Sequence, residues 1–331
     1  MKSIEIIASD AIKDVAKRTH EKLNGFGYTE IEKTVFANGE MKTKITKPIR
    51  HKDIYYFHSM YHPDPNTSMV ELFLSIDAIS RASADNITLV LPYMSYLRQD
   101  RKDEPRVPIS ARMVANLIES NPKIERILTL DLHSDQAQGF YNIPVDNLYG
   151  SLVHAKYFEK KFKGDYSNVV VVSPDHGGTV RARRFAKSLD ESVPVYIIDK
   201  RRTGPNKCEV MNFIGGDLTG KDVVIYDDMI DTGGSIIAAG KVAREKGAKN
   251  VYVCATHGLF STKEGASETA EEKFKREGLN VVVTNSIPRS DEYYEENSSW
   301  LEAVPVEDLL ADAIYESSRV DGSISRLFDD N

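Results

Sequence analysis

The chain has 331 residues, a length that at roughly 150 residues per domain predicts two domains. Hydrophobic residues make up 41% of it and charged residues 28%, which is typical of a folded globular protein and excludes collagen-like and disordered classes. The net charge is −7, from 43 Lys and Arg against 50 Asp and Glu, so the overall charge does not favour nucleic acid or an anionic membrane as a partner. Any bound anion is therefore expected at a local site.

The cysteine content and the opening segment bear on the compartment. Cys208 and Cys254 lie far apart and form no CxxC pair, which favours free thiols in a reducing environment. No apolar run approaches the roughly 18 residues that span a bilayer, and acidic side chains come too early for a signal peptide. We therefore expect a cytoplasmic protein with no membrane partner.

Short β-branched apolar runs alternate with stretches of helical periodicity along most of the chain. The runs are almost continuous in Val, Ile and Leu, which indicates strands buried on both faces of mostly parallel sheets and predicts the α/β class. The predicted strands are Ile54–His58, Ile87–Leu91, Ile127–Leu130, Val169–Val172, Val195–Ile198, Val223–Tyr226, Val251–Ala255 and Val281–Thr284. The clearest predicted helices are Ser68–Ala84, Ser110–Ser120, Thr179–Leu189 and Ser235–Lys246.

A polar turn that follows Pro144 leads into a new helical pattern and predicts a domain boundary within 147–152. We therefore expect a first domain over 1–148 and a second over 149–304. The segment 305–331 reads as a helix and a short tail, which we expect to return to the first domain.

The segment 223–235 carries the most specific chemistry. It is predicted to run from a buried strand through a glycine-bearing loop into a helix, an arrangement whose backbone N–H groups and helix dipole favour a phosphate. Carboxylates do not bind phosphate, but Asp227 and Asp228 could accept hydrogen bonds from vicinal hydroxyls or hold a metal, while Asp231 shapes the turn. A sugar phosphate fits both halves. The alternative is a helix that Ser or Thr merely caps.

The residues DDMIDTGGS at 227–235 resemble the ribose-phosphate loop shared by phosphoribosyltransferases and by the ribose-phosphate pyrophosphokinases, also called phosphoribosyl pyrophosphate synthetases. Further segments resemble the pyrophosphokinases, and ordinary phosphoribosyltransferases lack that set. These segments are Leu91–Asp103, Asp131–Phe140, Ser173–Gly178 and Asp199–Arg202. The resemblance runs from about Phe36 to Phe328. It implies two similar phosphoribosyltransferase-like domains, each a mostly parallel sheet flanked by helices.

The resemblance also implies roles for cations that follow the strand predicted at 195–198. Lys200 and Arg202 match the catalytic residues of the family, and the polar stretch through Thr203 to Asn206 is interpreted as a lid that brings them onto the transferring phosphoryl group. A charged surface loop is the alternative. The residues implied for ribose 5-phosphate are Arg202, Asp227, Asp228, Asp231, Thr232, Gly233, Gly234 and Ser235.

Two further segments are interpreted as the ATP side of the site. A guanidinium pairs two phosphate oxygens at once, and an aromatic turn with amide and acid edges suits a purine; a solvated loop and an ordinary turn are the alternatives. The residues are Phe36, Asn38, Gly39 and Glu40 in the turn, and Arg98, Gln99 and Asp100 in the loop. In the family the turn helps to hold ATP across a subunit contact. The resemblance thus implies a dimer-based homo-oligomer, for which a hexamer is one candidate size.

His133 and Asp175 each come shortly after a predicted strand, where ligands gather in open α/β sheets. From the residues alone, a histidine satisfied in a turn and an aspartate that caps a helix remain open. The resemblance implies that both residues bind Mg²⁺, the expected cofactor. Two positions depart from the family pattern: Pro105 leaves nucleotide feedback inhibition open, and His176 could alter the metal site beside Asp175.

The first functional hypothesis is a ribose-phosphate diphosphokinase. It would transfer the β,γ-diphosphoryl group of ATP to the C1 hydroxyl of ribose 5-phosphate, giving phosphoribosyl pyrophosphate and AMP for nucleotide biosynthesis. A non-catalytic, synthetase-like regulatory subunit is the second hypothesis, and the presence of Lys200, Arg202 and His133 argues against it. An ordinary phosphoribosyltransferase is the third, and it would not need the segments at 98–99 and 131–133.

Overall fold

The computed structural model describes residues 3–202 and 209–328, with the backbone alone over 199–202 and 209–211. Residue contacts divide the chain into two units. One comprises Met1–Tyr149 together with Val306–Asn331, and the other comprises Gly150–Pro305. Within the described ranges, each unit is built around one seven-stranded sheet.

The strands of the two sheets alternate with helices along the chain, as the apolar runs predict. The strands are β1 (Ile4–Ala8), β2 (Gly27–Val35), β3 (Met41–Ile45), β4 (Asp53–Phe57), β5 (Asn86–Leu91), β6 (Ile124–Leu130), β7 (Val145–Leu148), β8 (Val169–Ser173), β9 (Val195–Arg202), β10 (Glu209–Ile214), β11 (Asp222–Ile230), β12 (Asn250–Gly258), β13 (Asn280–Thr284) and β14 (Leu301–Val304). The helices are α1 (Lys13–His20), α2 (Pro65–Arg81), α3 (Ser110–Ile118), α4 (Ser151–Phe162), α5 (Thr179–Leu189), α6 (Gly234–Glu245), α7 (Ala270–Glu277), α8 (Asp291–Asn297) and α9 (Glu307–Ser317).

The two sheets have the same strand order. The first is β3-β2-β1-β4-β5-β6-β7 and the second is β10-β9-β8-β11-β12-β13-β14. In each sheet the outermost pair on one side, β2 with β3 or β9 with β10, is antiparallel, and the remaining pairs are parallel. Parallel neighbours need crossover connections, which the helices supply, so the predicted α/β class with mostly parallel sheets is confirmed.

Burial on both faces explains why the central strands are so apolar. In the first unit Ile54, Tyr56 and Leu89 have at most 1% of their surface exposed, and in the second unit Val172 and Val223 are fully buried. Because alternate residues of a strand face opposite sides of the sheet, a run without polar breaks fills the layers on both sides. The central strands therefore form rigid supports whose carboxyl ends can hold a site.

All eight predicted strands are present in the described residues, and the prediction missed β1, β2, β3, β7, β10 and β14. Three predicted strands end too early. The strand expected to end at Tyr226 continues to Ile230, and the one expected to end at Ala255 continues to Gly258. The strand expected to end at Ile198 continues to Arg202 and pairs antiparallel with β10. This last extension escaped prediction because its residues are charged, and an edge hairpin needs no apolar run to form its backbone hydrogen bonds.

The C-terminal helix α9 belongs to the first unit. Arg18 on α1 donates to Glu307 at 2.6 Å, where the glutamate side chain is 3% exposed, and Lys22 pairs with Asp308 at 2.6 Å. A nearly buried carboxylate requires a cationic partner, so the Arg18–Glu307 pair fixes where α9 docks. Among the residues that the structure describes, no helix has the length and apolar character to cross a bilayer.

Candidate functional site

The second unit carries a glycine-bearing connection between β11 and α6. The N-cap residue of α6, Gly233, has a φ of +74°, a left-handed conformation that favours glycine. A Cβ atom at this position would lie 2.9 Å from Cε2 of Phe274, so packing excludes a side chain as well. Gly233 therefore offers no side-chain oxygen to cap the helix, and the backbone at the start of α6 can approach a ligand closely.

A second loop, between β8 and α5, lies against the end of β11. The hydroxyl of Ser173 donates to the carbonyl oxygen of Asp175 at 2.7 Å, and the Gly178 N–H donates to Oδ1 of Asp175 at 2.8 Å. A Cβ atom on Gly178 would lie 2.9 Å from Oγ of Ser173 and 3.6 Å from Oδ1 of Asp227. The glycine thus lets the loop approach the carboxylate of Asp227, and the structure brings the two predicted loops of this unit together.

Asp227 and Asp228 form an acidic pair with Arg181 of α5. Nη1 of Arg181 lies 2.8 Å from Oδ1 of Asp227 and 3.2 Å from Oδ1 of Asp228. The side chain of Asp227 is 22% exposed and that of Asp228 is 3% exposed. Burial raises the pKa of Asp227 well above its usual range, the charge of Asp228 raises this pKa further, and the guanidinium of Arg181 opposes both effects. Such a pair gains from any further hydrogen-bond donor that reaches it.

Arg181 is the site residue that the sequence analysis missed. It lies in the first turn of α5, three positions after Gly178. A cation at that distance from a glycine pair was the available signal. It is weak by itself, because charged residues are common on the exposed face of a helix.

The turn between β2 and β3 brings four of the predicted ATP residues together in the first unit. Phe36 and Glu40 face each other across it, with the Phe36 N–H donating to the carbonyl oxygen of Glu40 at 2.8 Å. Oδ1 of Asn38 accepts from the Glu40 N–H at 3.1 Å, and Gly39 has a φ of +89°. Phe36 stays 47% exposed. The turn therefore exposes an aromatic side chain at its first residue.

The other predicted ATP residues, Arg98, Gln99 and Asp100, lie on one loop after β5. The hydroxyl of Ser110, the first residue of α3, donates to Oε1 of Gln99 at 2.6 Å. The Ala111 N–H donates to the carbonyl oxygen of Gln99 at 3.2 Å. Gln99 is therefore anchored to the start of α3, and this anchor positions the exposed Arg98 beside it.

The two predicted metal ligands lie in different units. His133 is exposed in the segment after β6, and Asp175 is exposed in the loop before α5. No group of three or more His, Cys, Asp or Glu side chains suited to a metal ion occurs among the described residues. Mg²⁺ commonly keeps several waters and takes one or two protein ligands together with substrate phosphates. Exposed single ligands therefore fit a magnesium ion that binds with a nucleotide.

The predicted lid is only partly described. Lys200 and Arg202 lie in β9, where the backbone is described and the side chains lie outside the described residues. The stretch 203–208, which holds Thr203–Asn206 and Cys208, also lies outside them. Cys254 is a buried cysteine on β12.

Comparisons with known proteins agree on one family. The model for the N-terminal domain of ribose phosphate pyrophosphokinase matches residues 4–121, and that for the phosphoribosyl synthetase-associated domain matches residues 202–329. The chain is 40% identical to the ribose-phosphate pyrophosphokinase of Haemophilus ducreyi over 331 residues, covering 99% of this chain and 100% of that one. It is 45% identical to that of Gloeobacter violaceus over 293 residues, covering 88% and 83%. The crystal structure of phosphoribosylpyrophosphate synthetase from Mycobacterium smegmatis matches with a TM-score of 0.83 at 34% identity, covering 96% and 99%.

Proposed function

The chain belongs to the ribose-phosphate pyrophosphokinase family, and on this premise we propose that it transfers the β,γ-diphosphoryl group of ATP to the C1 hydroxyl of ribose 5-phosphate. The products are phosphoribosyl pyrophosphate and AMP. The observation that carries the proposal is the end of β11, where a side-chain-free N-cap and two carboxylates lie together. The regulatory-subunit alternative has no observation in its favour among the described residues or the relatives.

The connection 231–235 binds the 5-phosphate in this proposal. It consists of Asp231, Thr232, Gly233, Gly234 and Ser235. The backbone N–H groups at the start of α6 are the donors, and the helix dipole favours the negative charge of the phosphate. Gly233 supports this role because it begins α6 in a left-handed conformation and has no side-chain oxygen of its own to occupy the N-cap position.

Asp227 and Asp228 bind the sugar. Carboxylate oxygens accept hydrogen bonds, and the 2- and 3-hydroxyls of ribose are neighbouring donors. The side chain of Asp227 is more exposed than that of Asp228, so its carboxylate has the more direct access to the sugar. The phosphate and hydroxyl contacts together hold the sugar at two points, which orients its C1 hydroxyl.

ATP binds through the turn 36–40 and the loop 98–100. The exposed ring of Phe36 stacks on the purine, and Asn38 and Glu40 offer amide and carboxylate groups to its edge. Arg98 pairs with phosphate oxygens, and Gln99, anchored to α3, sets its position. As part of this proposal, the enzyme is a cytoplasmic homo-oligomer in which the turn contributes to ATP binding across a subunit contact.

His133 and Asp175 are the residues that we assign to Mg²⁺. Bound magnesium supplies positive charge that lowers the cost of bringing polyphosphate and sugar phosphate together. Asp175 accepts one hydrogen bond from Gly178, and this bond holds its carboxylate in a fixed orientation while its side chain stays at the surface.

The transfer is an in-line displacement at the β-phosphorus. The C1 oxygen forms the new bond, and the oxygen that bridged the α- and β-phosphorus leaves with AMP. Lys200 and Arg202 stabilise the charge on the transferring and departing phosphoryl groups. A loose transition state develops little charge on the attacking hydroxyl, so a strong general base is not required.

The test is AMP release from ATP and magnesium by the purified protein, with and without ribose 5-phosphate. We expect AMP only with the sugar phosphate, together with an equal amount of phosphoribosyl pyrophosphate. Folded protein that releases no AMP would overturn the proposal, and AMP that forms without the sugar would point to a hydrolase.

A lysine variant tests the catalytic assignment. Lys200→Ala is expected to abolish turnover while leaving folding and ribose 5-phosphate binding nearly intact, because the side chain is assigned to the transition state and not to the bound sugar. Thermal melting and calorimetry check the two properties that should not change. Full activity of this variant would contradict the role of Lys200.

A further inference from the structure

Nη1 of Arg181 reaches both carboxylates of the acidic pair. Nη1 lies 2.8 Å from Oδ1 of Asp227 and 3.2 Å from Oδ1 of Asp228. The arginine side chain is 16% exposed, so this ion pair is largely shielded from water. A mostly buried cation that serves two anions is more than a surface salt bridge, because breaking it would leave buried charge uncompensated.

The geometry orients the oxygens of Asp227. Oδ1 accepts from Nη1 of Arg181 at 2.8 Å and from the backbone N–H of Asp228 at 2.9 Å. Neither of these two bonds goes to Oδ2. Two donors on one oxygen fix the plane of the carboxylate, and the other oxygen is thereby aimed in a defined direction.

The support behind Arg181 is itself rigid. Phe185 follows Arg181 by one helical turn and therefore lies on the same side of α5. Its ring stacks on Tyr226 of β11, with centroids 4.2 Å apart and planes 7° apart. Tyr226 and Asp228 are two positions apart on the strand, so they share one face of the sheet. The stacked rings thus fix the position of α5 relative to β11. This packing holds the guanidinium of Arg181 beside the acidic pair.

We propose that Arg181 is a positioning residue for ribose 5-phosphate: by pairing with both carboxylates, it fixes the oxygens of Asp227 and Asp228 as acceptors for the vicinal 2- and 3-hydroxyls. This inference rests on the proposed function, since it assumes that the acidic pair binds the sugar. Arg181 itself does not contact the reacting atoms. It sets the preference of the site for a sugar that carries both hydroxyls.

The experiment measures how well the full-length protein discriminates ribose 5-phosphate from 2-deoxyribose 5-phosphate. Calorimetry gives the Kd for each sugar phosphate, and the AMP assay gives kcat and KM with each. The variants are Arg181→Gln and the matched control Arg183→Gln, which removes an exposed arginine from the same helix. Thermal melting confirms that each variant is folded.

The wild type is expected to prefer the ribose form, and Arg181→Gln is expected to reduce this preference about tenfold or more, because the two carboxylate acceptors lose their fixed orientation. Arg183→Gln should keep it. Equal weakening of both sugars in Arg181→Gln would indicate a merely structural role and would overturn the inference, as would a wild type without any preference. If Arg181→Gln does not fold, Arg181→Lys replaces it. Its shorter side chain cannot hold both carboxylates in the same way, so an unchanged preference in that variant would also overturn the inference.

The two readouts separate this inference from the proposed function. Selective binding of ribose 5-phosphate without AMP release would contradict the diphosphokinase and leave the role of Arg181 standing. AMP release with an unchanged preference in Arg181→Gln would leave the diphosphokinase standing and contradict the role of Arg181.

Discussion

In the first unit β4 runs into α2, and in the second unit the strand at the same place in the sheet, β11, runs into α6. The N-cap of α2 is Asp64, whose side chain accepts from the Asn66 N–H at 2.9 Å and the Thr67 N–H at 3.0 Å. The N-cap of α6 is Gly233, which has no side chain to offer. The N-terminus of α2 is therefore occupied by a carboxylate of its own chain. The N-terminus of α6 is left open to a ligand.

The carboxyl ends of β4 and β11 also differ in whether side chains of the protein occupy them. His58 follows β4 and is 1% exposed, with Nε2 donating to the carbonyl oxygen of Ser68 at 2.8 Å and Nδ1 lying 3.2 Å from Oη of Tyr56. Asp227 and Asp228 lie near the end of β11, beside Arg181. One strand end is thus closed by side chains of the fold. The comparison teaches that a shared strand order fixes where a site can form, and that the residues at the turn decide whether one does.

Adding a side chain at Gly233 should have the largest effect. In Gly233→Ala the strained φ and the contact 2.9 Å from Phe274 combine, so we expect the free energy of unfolding to fall by about 3 kcal/mol. Ribose 5-phosphate affinity should fall about 100-fold, because the loop is displaced. Urea denaturation and calorimetry measure the two effects.

Gly220→Ala is the matched control for this substitution. Gly220 has a φ of +73°, but a Cβ atom there would meet nothing within 4 Å. Only the backbone strain remains, so a loss of about 1 kcal/mol and unchanged affinity are expected. Equal losses in the two variants would show that packing against Phe274 does not matter.

His58 in the first unit and His154 in the second are buried, and these two histidines should dominate the loss of stability in mild acid. Burial lowers the pKa of His58 to about 4; burial, followed by the charge of His257, lowers the pKa of His154 to about 3. An unfolded histidine has a pKa of about 6.5. Below about pH 6.5 the unfolded chain takes up a proton on each histidine, while the buried ring of the folded protein stays neutral. The free energy of unfolding is therefore undiminished above about pH 6.5 and falls as the pH drops toward the pKa of the folded state.

Replacing one histidine should remove its share of this pH dependence. His58→Asn tests the first unit and His154→Asn the second, and each should reduce the slope of the free energy of unfolding by about 1.4 kcal/mol per pH unit below pH 6. Urea denaturation at pH 5, 6 and 7 gives the slopes. A variant whose slope equals that of the wild type would mean that the histidine is already charged in the folded unit.

The sequence predicted the central strands well, because runs such as 169–172 are buried on both faces and leave an unbroken apolar pattern. It missed hairpins such as β2–β3, where charged residues alternate along an exposed edge and resemble a loop. The loop at 231–235 was predictable because a left-handed turn requires glycine, and the glycines are visible in the sequence. The role of Arg181 had no comparable local signal, because its partner Asp227 lies 46 residues away and only the fold brings the two together.

The smallest expected effect concerns the capped helix of the first unit. Asp64→Ala removes the acceptor for the Asn66 and Thr67 amides, and loss of an N-cap costs about 1 kcal/mol. The hydrogen bonds from Thr67 lower the pKa of Asp64, so this stability is present above the unfolded pKa and is lost as the pH falls through the folded value. Urea denaturation at pH 7 and pH 3 should therefore show a difference from the wild type that shrinks in acid.

Asp64→Asn is the control, because asparagine caps a helix about as well as aspartate. It should retain most of the stability at pH 7 and show a weaker dependence on acid. Neither variant should change the affinity for ribose 5-phosphate, since the sugar phosphate is assigned to the start of α6 and not to that of α2. A change in that affinity would mean that the start of α2 also takes part in binding, and the contrast between a self-capped helix and an open one would no longer explain why the site lies in the second unit.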